Sequence, residues 1–257
     1  MIKIVIIGSG NVAHHLIVAF ENAQKKGNSI ELVQIFSRKR EKLSRLVDLD
    51  RITDDYEKLV EADIYIIAVS DDAIAKVVDN LPFKNRLVVH TSGSFPLDAL
   101  NDNNRRGVFY PLQTFSKNKA VDFTTIPICL ESENPFDYQI LNTVAKSISD
   151  SVFAINSEQR KALHVAAVFV NNFTNHLYQI GNEICEQHQV SFEILKPLII
   201  ETANKIMVLS PQEAQTGPAK RNDTETTLTH EAFLLDENHL MIYKLLTQAI
   251  HNNGKKL

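Results

Sequence analysis

The chain has 257 residues, 44% of them hydrophobic and 23% charged, with a formal net charge of −4. These values are ordinary for a globular protein of one large or two modest domains, and they give no electrostatic reason to expect nucleic acid or an anionic membrane as partner. Two distant cysteines, Cys129 and Cys185, lack metal-ligand spacing; with no bilayer-length apolar run and no secretory leader pattern, a cytoplasmic protein with reduced thiols and no metal is expected.

The apolar run over residues 2–7 reads as a strand buried on both faces. It empties into Gly8-Ser9-Gly10-Asn11-Val12-Ala13 and then a helical stretch to Lys25, closed by Gly27. Between strand and helix, G-x-G-x-x-A is a dinucleotide-binding fingerprint. Gly8 permits the tight turn, Gly10 lets a pyrophosphate approach the backbone, and Ala13 allows close packing. The first free N–H groups of the helix, around Asn11 and Val12, face the phosphates. The second strand, 31–36, ends in Ser37-Arg38-Lys39-Arg40, where an NAD-preferring site keeps a carboxylate for the ribose 2′-hydroxyl. A hydroxyl and a guanidinium suit a 2′-phosphate instead, so Ser37 and Arg38 are assigned to the cofactor and NADP is expected over NAD. Lys39 and Arg40 read as a solvated start to the following segment.

A third strand over 62–70 precedes a helix over 73–80. Ser70 and Asp71, at that strand's end, either contact the cofactor or, in the case of Asp71, cap the helix. The run 86–90 forms the next strand and ends in His90-Thr91-Ser92-Gly93. The His90 imidazole either exchanges a proton with substrate or is held within its loop, and Ser92 is a candidate substrate contact. Residues 107–110 lead to Pro111-Leu112-Gln113, and 126–130, containing Pro127, is read as an edge strand. Repeated βα units imply an α/β fold, a Rossmann-like, mostly parallel sheet with helices on both faces.

Strand patterns cease near residue 155. The expected division is a dinucleotide-binding domain over 1–155 and an all-helical substrate and dimerisation domain over 156–257. Residues 158–181 form a long helical pattern capped by Asn156 with Gln159. At 100° per residue His164, Asn171 and Asn175 share a stripe, with Lys161 and Asn172 beside it. That stripe is either a site wall, with His164 the favoured proton donor and Asn171 orienting the substrate, or a set of inter-helix hydrogen bonds. Further helical patterns cover 191–209 and 224–250. Between them Gly217-Pro218 makes a turn, after which Arg221 is a candidate clamp for a substrate carboxylate while Asp223 is a candidate helix cap. The helix over 158–181 is apolar around most of its circumference, which predicts a homodimer through the helical domain. The polar tail over 251–257 is expected to fray.

Five segments together resemble a family of Rossmann-like NADP-dependent oxidoreductases with a helical C-terminal domain of unknown function. They are Gly8 to Ala13, His90-Thr91-Ser92-Gly93, Tyr110-Pro111-Leu112-Gln113-Thr114-Phe115, His164-Val165-Ala166-Ala167 with Asn171-Asn172, and Thr216-Gly217-Pro218 through Asp223. The family lies in the group of pyrroline-5-carboxylate, ketopantoate and 6-phosphogluconate-type reductases. In its last motif Asn222 stands where the family has glycine, a replacement that tolerates a left-handed turn. The resemblance implies an NADP-linked enzyme, with a deazaflavin coenzyme used by some relatives and a dimer formed through the helical domain. The catalytic lysine of β-hydroxyacid dehydrogenases has no secure counterpart, Lys161 being the nearest. The expected activity is hydride transfer between NADP(H) and a small carbonyl, imine or hydroxy-acid substrate. A non-catalytic NADP-binding sensor is the alternative.

Overall fold

The computed structural model describes residues 1–254; the last three residues of the tail lie outside the described residues. The chain forms two compact units, Met1–Asn171 and Asn172–Leu257.

The first unit is an eight-stranded sheet. Its strands are β1 (Ile2–Ile7), β2 (Ile30–Phe36), β3 (Ile52–Thr53), β4 (Ile64–Ile67), β5 (Leu87–His90), β6 (Arg105–Pro111), β7 (Ile128–Ser132) and β8 (Val152–Ala154). The spatial order is β3-β2-β1-β4-β5-β6-β7-β8. From β3 to β6 all neighbours pair in parallel; β7 runs antiparallel to β6, and β8 is parallel to β7. The chain therefore leaves β1 toward one edge and returns on its other side at β4. Such a reversal opens a crevice at the carboxyl ends of the strands, where ligands of doubly wound sheets bind.

Helices α1 (Asn11–Lys25), α2 (Asp71–Asp79), α3 (Pro135–Lys146) and α4 (Ser157–Ala167) belong to this unit. Alternation along β1 divides the core in two. Ile4 and Ile6 pack with Leu16, Phe20, Leu141 and Val144, the faces of α1 and α3. Val5 and Ile7 pack with Tyr65 and Ile67 of β4 and with Ile74 and Val77, the face of α2. Ile4 to Ile7 are essentially inaccessible, and each such side chain is worth roughly 1.5–3 kcal/mol over an exposed one. Gly27, at φ 83°, closes α1 as the sequence predicts.

One reading of this half needs correction. The run containing Pro127 is not an edge, because β8 pairs outside β7. Pro127 sits just before the strand, so no ladder N–H is required of it, and its carbonyl accepts from Leu112 N at 2.8 Å. Strand β8 has three residues, too few for a periodicity to show.

Helix α4 starts with the predicted capping box between Asn156 and Gln159. It passes into a π-helical turn, Val168–Phe173, and then α5 (Thr174–Gln187). The second unit continues with α6 (Lys196–Lys205), α7 (Pro211–Ala214), α8 (Pro218–Arg221), α9 (Thr224–Phe233) and α10 (Glu237–Gly254). Asn222 adopts the left-handed conformation, φ 57° and ψ 33°, that its glycine-like position demands. Asp223 caps α9 by accepting from Thr226 N. Residues 251–254, expected to fray, prolong α10.

Candidate active site

The glycine loop sits at the end of β1, and its backbone explains its composition. Gly8 has φ +136°, and a Cβ there would lie 2.1 Å from the Ala68 carbonyl oxygen, so only glycine lets β1 and β4 meet. A Cβ at Gly10 would meet nothing within 4 Å, because the loop opens onto a cleft. Gly10 is also the N-cap of α1 and contributes no side-chain cap, leaving the first-turn N–H groups at Asn11 and Val12 for a ligand.

The cleft encloses about 1090 Å³, ample for a dinucleotide by comparison with ordinary ligand sites. Gly8, Gly10, Asn11 and Val12 line one part, and Ser37, Arg38 and Tyr56 another. Ser37 is buried, and its hydroxyl accepts from Lys39 N at 3.1 Å, which shapes the turn that displays Arg38. Tyr56 stacks on Phe36 at 4.1 Å between ring centroids, forming a flat wall beside Arg38. Lys39 lines this cleft as well, so the solvated reading given to it is incomplete. Ser70 lines it too and is the N-cap of α2; Asp71 is that helix's first residue rather than its cap.

Next along the same carboxyl edge are the ends of β5 and β6. Thr91 N donates to the Ile67 carbonyl at 3.1 Å, which ties the end of β5 to that of β4. His90 is fully buried; its Nδ1 accepts from Ser92 N at 3.2 Å, and its ring meets Phe95 edge to face. Burial, reinforced by the nearby Arg160 guanidinium, drives its pKa down to about 3. A neutral, sealed imidazole fits the loop-holding alternative for His90. The Ser92 hydroxyl oxygen accepts from Ser94 N at 3.0 Å and Phe95 N at 2.9 Å, which builds the turn.

That turn carries Gly93 beneath two other side chains. A Cβ at Gly93 would stand 2.5 Å from His164 Nδ1 and 2.8 Å from Tyr110 Cζ. The phenol of Tyr110 and Nδ1 of His164 are hydrogen-bonded at 3.1 Å. His164 is half-buried and Tyr110 nearly covered. Burial, with Cys129 and Asp71 adding to it and Arg160 opposing, pushes the Tyr110 phenol up to about 12. It keeps its proton across the physiological range.

Arg160, four residues before His164, anchors this arrangement. It is buried, pairs with Glu131 on β7, and donates to the Phe95 carbonyl at 2.8 Å. Glu131 also accepts from Ser157 N at 2.9 Å, so the first turn of α4 is pinned to the sheet. Neither Arg160 nor Tyr110 stands among the sequence-predicted site residues. The available signal was the i, i+4 spacing of Arg160 and His164 on one helix face.

The remaining predicted residues are exposed. Asn171 and Asn172 are exposed in the π-helical turn, whose i→i+5 bonding adds a residue to the turn. The stripe drawn at 100° per residue from His164 to Asn175 therefore does not run straight. Lys161 is exposed on α4, and Arg221 is exposed at the end of α8 in the second unit.

Residues 3–93 match the family described as NADP oxidoreductase, coenzyme F420-dependent, and residues 126–250 match a domain of unknown function (DUF2520). The crystal structure of a proposed NADP oxidoreductase from Bacteroides fragilis is 36% identical, covers 98% of each chain and has a TM-score of 0.86. The chain belongs to this NADP oxidoreductase family. It is an NAD(P)-dependent oxidoreductase, and its two matched segments are those that carry the cleft and the Tyr110–His164 pair's helix. A Thermotoga maritima protein shares the fold at 20% identity and TM-score 0.75 over 98% of each chain. So does a reductive aminase from Aspergillus terreus, in complex with NADPH and ethyl-5-oxohexanoate, at 13% identity and TM-score 0.68 over 99% of this chain and 95% of that one. No curated relative matches the chain. Among the described residues no helix is long and apolar enough to cross a membrane, and no group of His, Cys, Asp or Glu could hold a metal ion.

Proposed function

We propose that this oxidoreductase transfers a hydride between NADP(H) and a small carbonyl, imine or hydroxy-acid substrate, with His164 moving the accompanying proton. The hydrogen-bonded Tyr110–His164 pair on Gly93 carries the reading. It gathers a proton-exchanging group onto the strand edge that also bears the cofactor cleft. Bound NADP(H) supplies the hydride chemistry.

The protein's own groups divide the remaining work. The hydrogen bond between the Tyr110 phenol and Nδ1 of His164 fixes the ring and leaves Nε2 to face a reacting oxygen or nitrogen; the doubly protonated ring gives up its Nε2 proton while Nδ1–H donates to the phenol oxygen. Gly93 has no side chain to separate the two rings, and Arg160 with Glu131 holds α4 at the required height. At the far end of the cleft, Arg38 would hold the 2′-phosphate from a turn that offers no carboxylate, which favours NADP over NAD. Asn171 is the proposed substrate-orienting group.

A second copy of the chain completes the assembly. Apolar side chains stand exposed on successive helices of the second unit, among them Leu198, Leu228, Met241 and Leu245, and isologous pairing would cover them.

The test is a substrate screen that follows NADPH absorbance in the unmodified protein and in His164→Gln. Loss of a proton donor costs about 10²- to 10⁴-fold in kcat, while NADPH affinity stays unchanged. Equal turnover by the two proteins removes His164 from the chemistry. NADPH binding without turnover of any carbonyl, imine or hydroxy acid favours the sensor.

A further inference from the structure

The long connection between β6 and β7 is fastened to α1 and the glycine loop by separate contacts. Asn11 Nδ2 donates to the Phe115 carbonyl at 2.8 Å, and His15 Nε2 meets the Ser116 carbonyl at 3.0 Å. The His15 and Phe115 rings pack at 5.1 Å, and Phe115 stacks on Phe123 at 5.8 Å. The next residue, Lys117, reaches back to donate from Nζ to the Ser9 carbonyl at 3.2 Å, and it lines the same cleft as Gly8, Gly10 and Val12.

We infer that Lys117 is a further cofactor-binding residue, a cation held over the glycine loop to neutralise the pyrophosphate bridge. The inference rests on the dinucleotide reading of the cleft. An ammonium has three N–H donors, and one bond to Ser9 leaves two for phosphate oxygens. Helix α1 supplies neutral N–H donors at this position and no charge of its own, since its first turn is uncapped by any side chain. The pyrophosphate carries two negative charges there, and Lys117 supplies the complementary one. Its backbone is already positioned by the Asn11 and His15 contacts, so little ordering remains at binding. His14, beside it, is held below its ordinary pKa by burial first and then by His15 and Lys117, so it does not compete as a second cation.

This role differs from that of Arg38 in a measurable way. The pyrophosphate is common to NADPH and NADH, whereas the 2′-phosphate belongs to NADPH alone. Titration calorimetry of Lys117→Met should show both dinucleotides weakened by the same factor, roughly tenfold. Arg38→Ser should weaken NADPH alone, and Lys117→Arg should stay within about threefold of the unmodified protein. Thermal melting of the unliganded Lys117→Met protein should be unchanged, because the side chain is exposed. If that variant melts early, Lys117→Gln replaces it in the same titrations. Unaltered affinity for both dinucleotides in the folded variant overturns the inference. A loss confined to NADPH overturns it too, by assigning the ammonium to the 2′-phosphate. If the unmodified protein binds neither dinucleotide, the cofactor reading of the cleft fails instead.

Discussion

In residues 1–171 the side chains of the central strands are sealed beneath α1, α2 and α3, with Ile4, Ile6, Ile67 and Val89 fully inaccessible. In the described part of the second unit Ile180 is the one hydrophobic side chain that reaches the buried class, and Met207, Val208, Leu235 and Leu245 are each at least 70% exposed. The first unit satisfies its own hydrophobic requirement, so its strand ends can be spent on glycine turns and polar groups that serve a ligand. The second has an apolar surface that a helical segment of its size does not cover by itself. One region is built around a cleft, and the other leaves its apolar side chains uncovered.

The first tests probe the cleft. Gly8→Ala should cost several kcal/mol of stability, on the order of 3, because its Cβ collides with the Ala68 carbonyl. Gly10→Val should instead melt normally and lose roughly a hundredfold or more in affinity for both dinucleotides, since its side chain would occupy the open cleft. Calorimetry and thermal melting separate the two. Normal NADPH binding by Gly10→Val would take this loop out of the site.

The partner surface is next. Sedimentation at micromolar concentration should give a dimer for the unmodified protein. Met241→Lys with Leu245→Lys should give the 29.0 kDa chain alone, because unpaired charges in an interface core cost several kcal/mol, about 3–5. A monomeric unmodified protein would break the comparison, leaving the exposed apolar side chains without an account.

A pH-dependent effect tests how dry the first unit is. Folding lowers the pKa of His90 from 6.5 to about 3, mainly through burial. Between those values the unfolded chain binds a proton that the folded chain refuses, so stability falls as pH drops through that window. The loss approaches about 4 kcal/mol near its acid end. Denaturant titrations from pH 7 to pH 3.5 should show a steeper acid decline in the unmodified protein than in His90→Gln. Parallel declines would mean that His90 is more accessible than its packing indicates. The smallest effect sharpens the cofactor end. Arg38→Asp should narrow the preference for NADPH over NADH by roughly 1.5–3 kcal/mol, and equal affinities in the unmodified protein would refute the preference itself.

Local patterns made much of the nucleotide-binding half legible. An apolar start over residues 2–7, a glycine pattern directly after it and a helix closed by Gly27 leave few conformations open, because the three follow one another without a break in the chain. The basic turn after β2 and the capping box before α4 are likewise matters of residues within four positions of one another. Tertiary structure decided the rest. A histidine at a strand end has the same sequence signature whether it meets substrate or sits beneath Phe95, and only packing sealed His90 and gave its partnership to Ser92 N. Tyr110, Gly93 and His164 are 17 or more residues apart in the chain, and the order of the strands together with the Arg160–Glu131 pair brings them together. Helical periodicity placed His164 in line with Asn175 until a single π turn broke the phase. Propensity and spacing act over one or two turns, whereas desolvation and hydrogen bonding between distant residues exist only once the chain has closed upon itself.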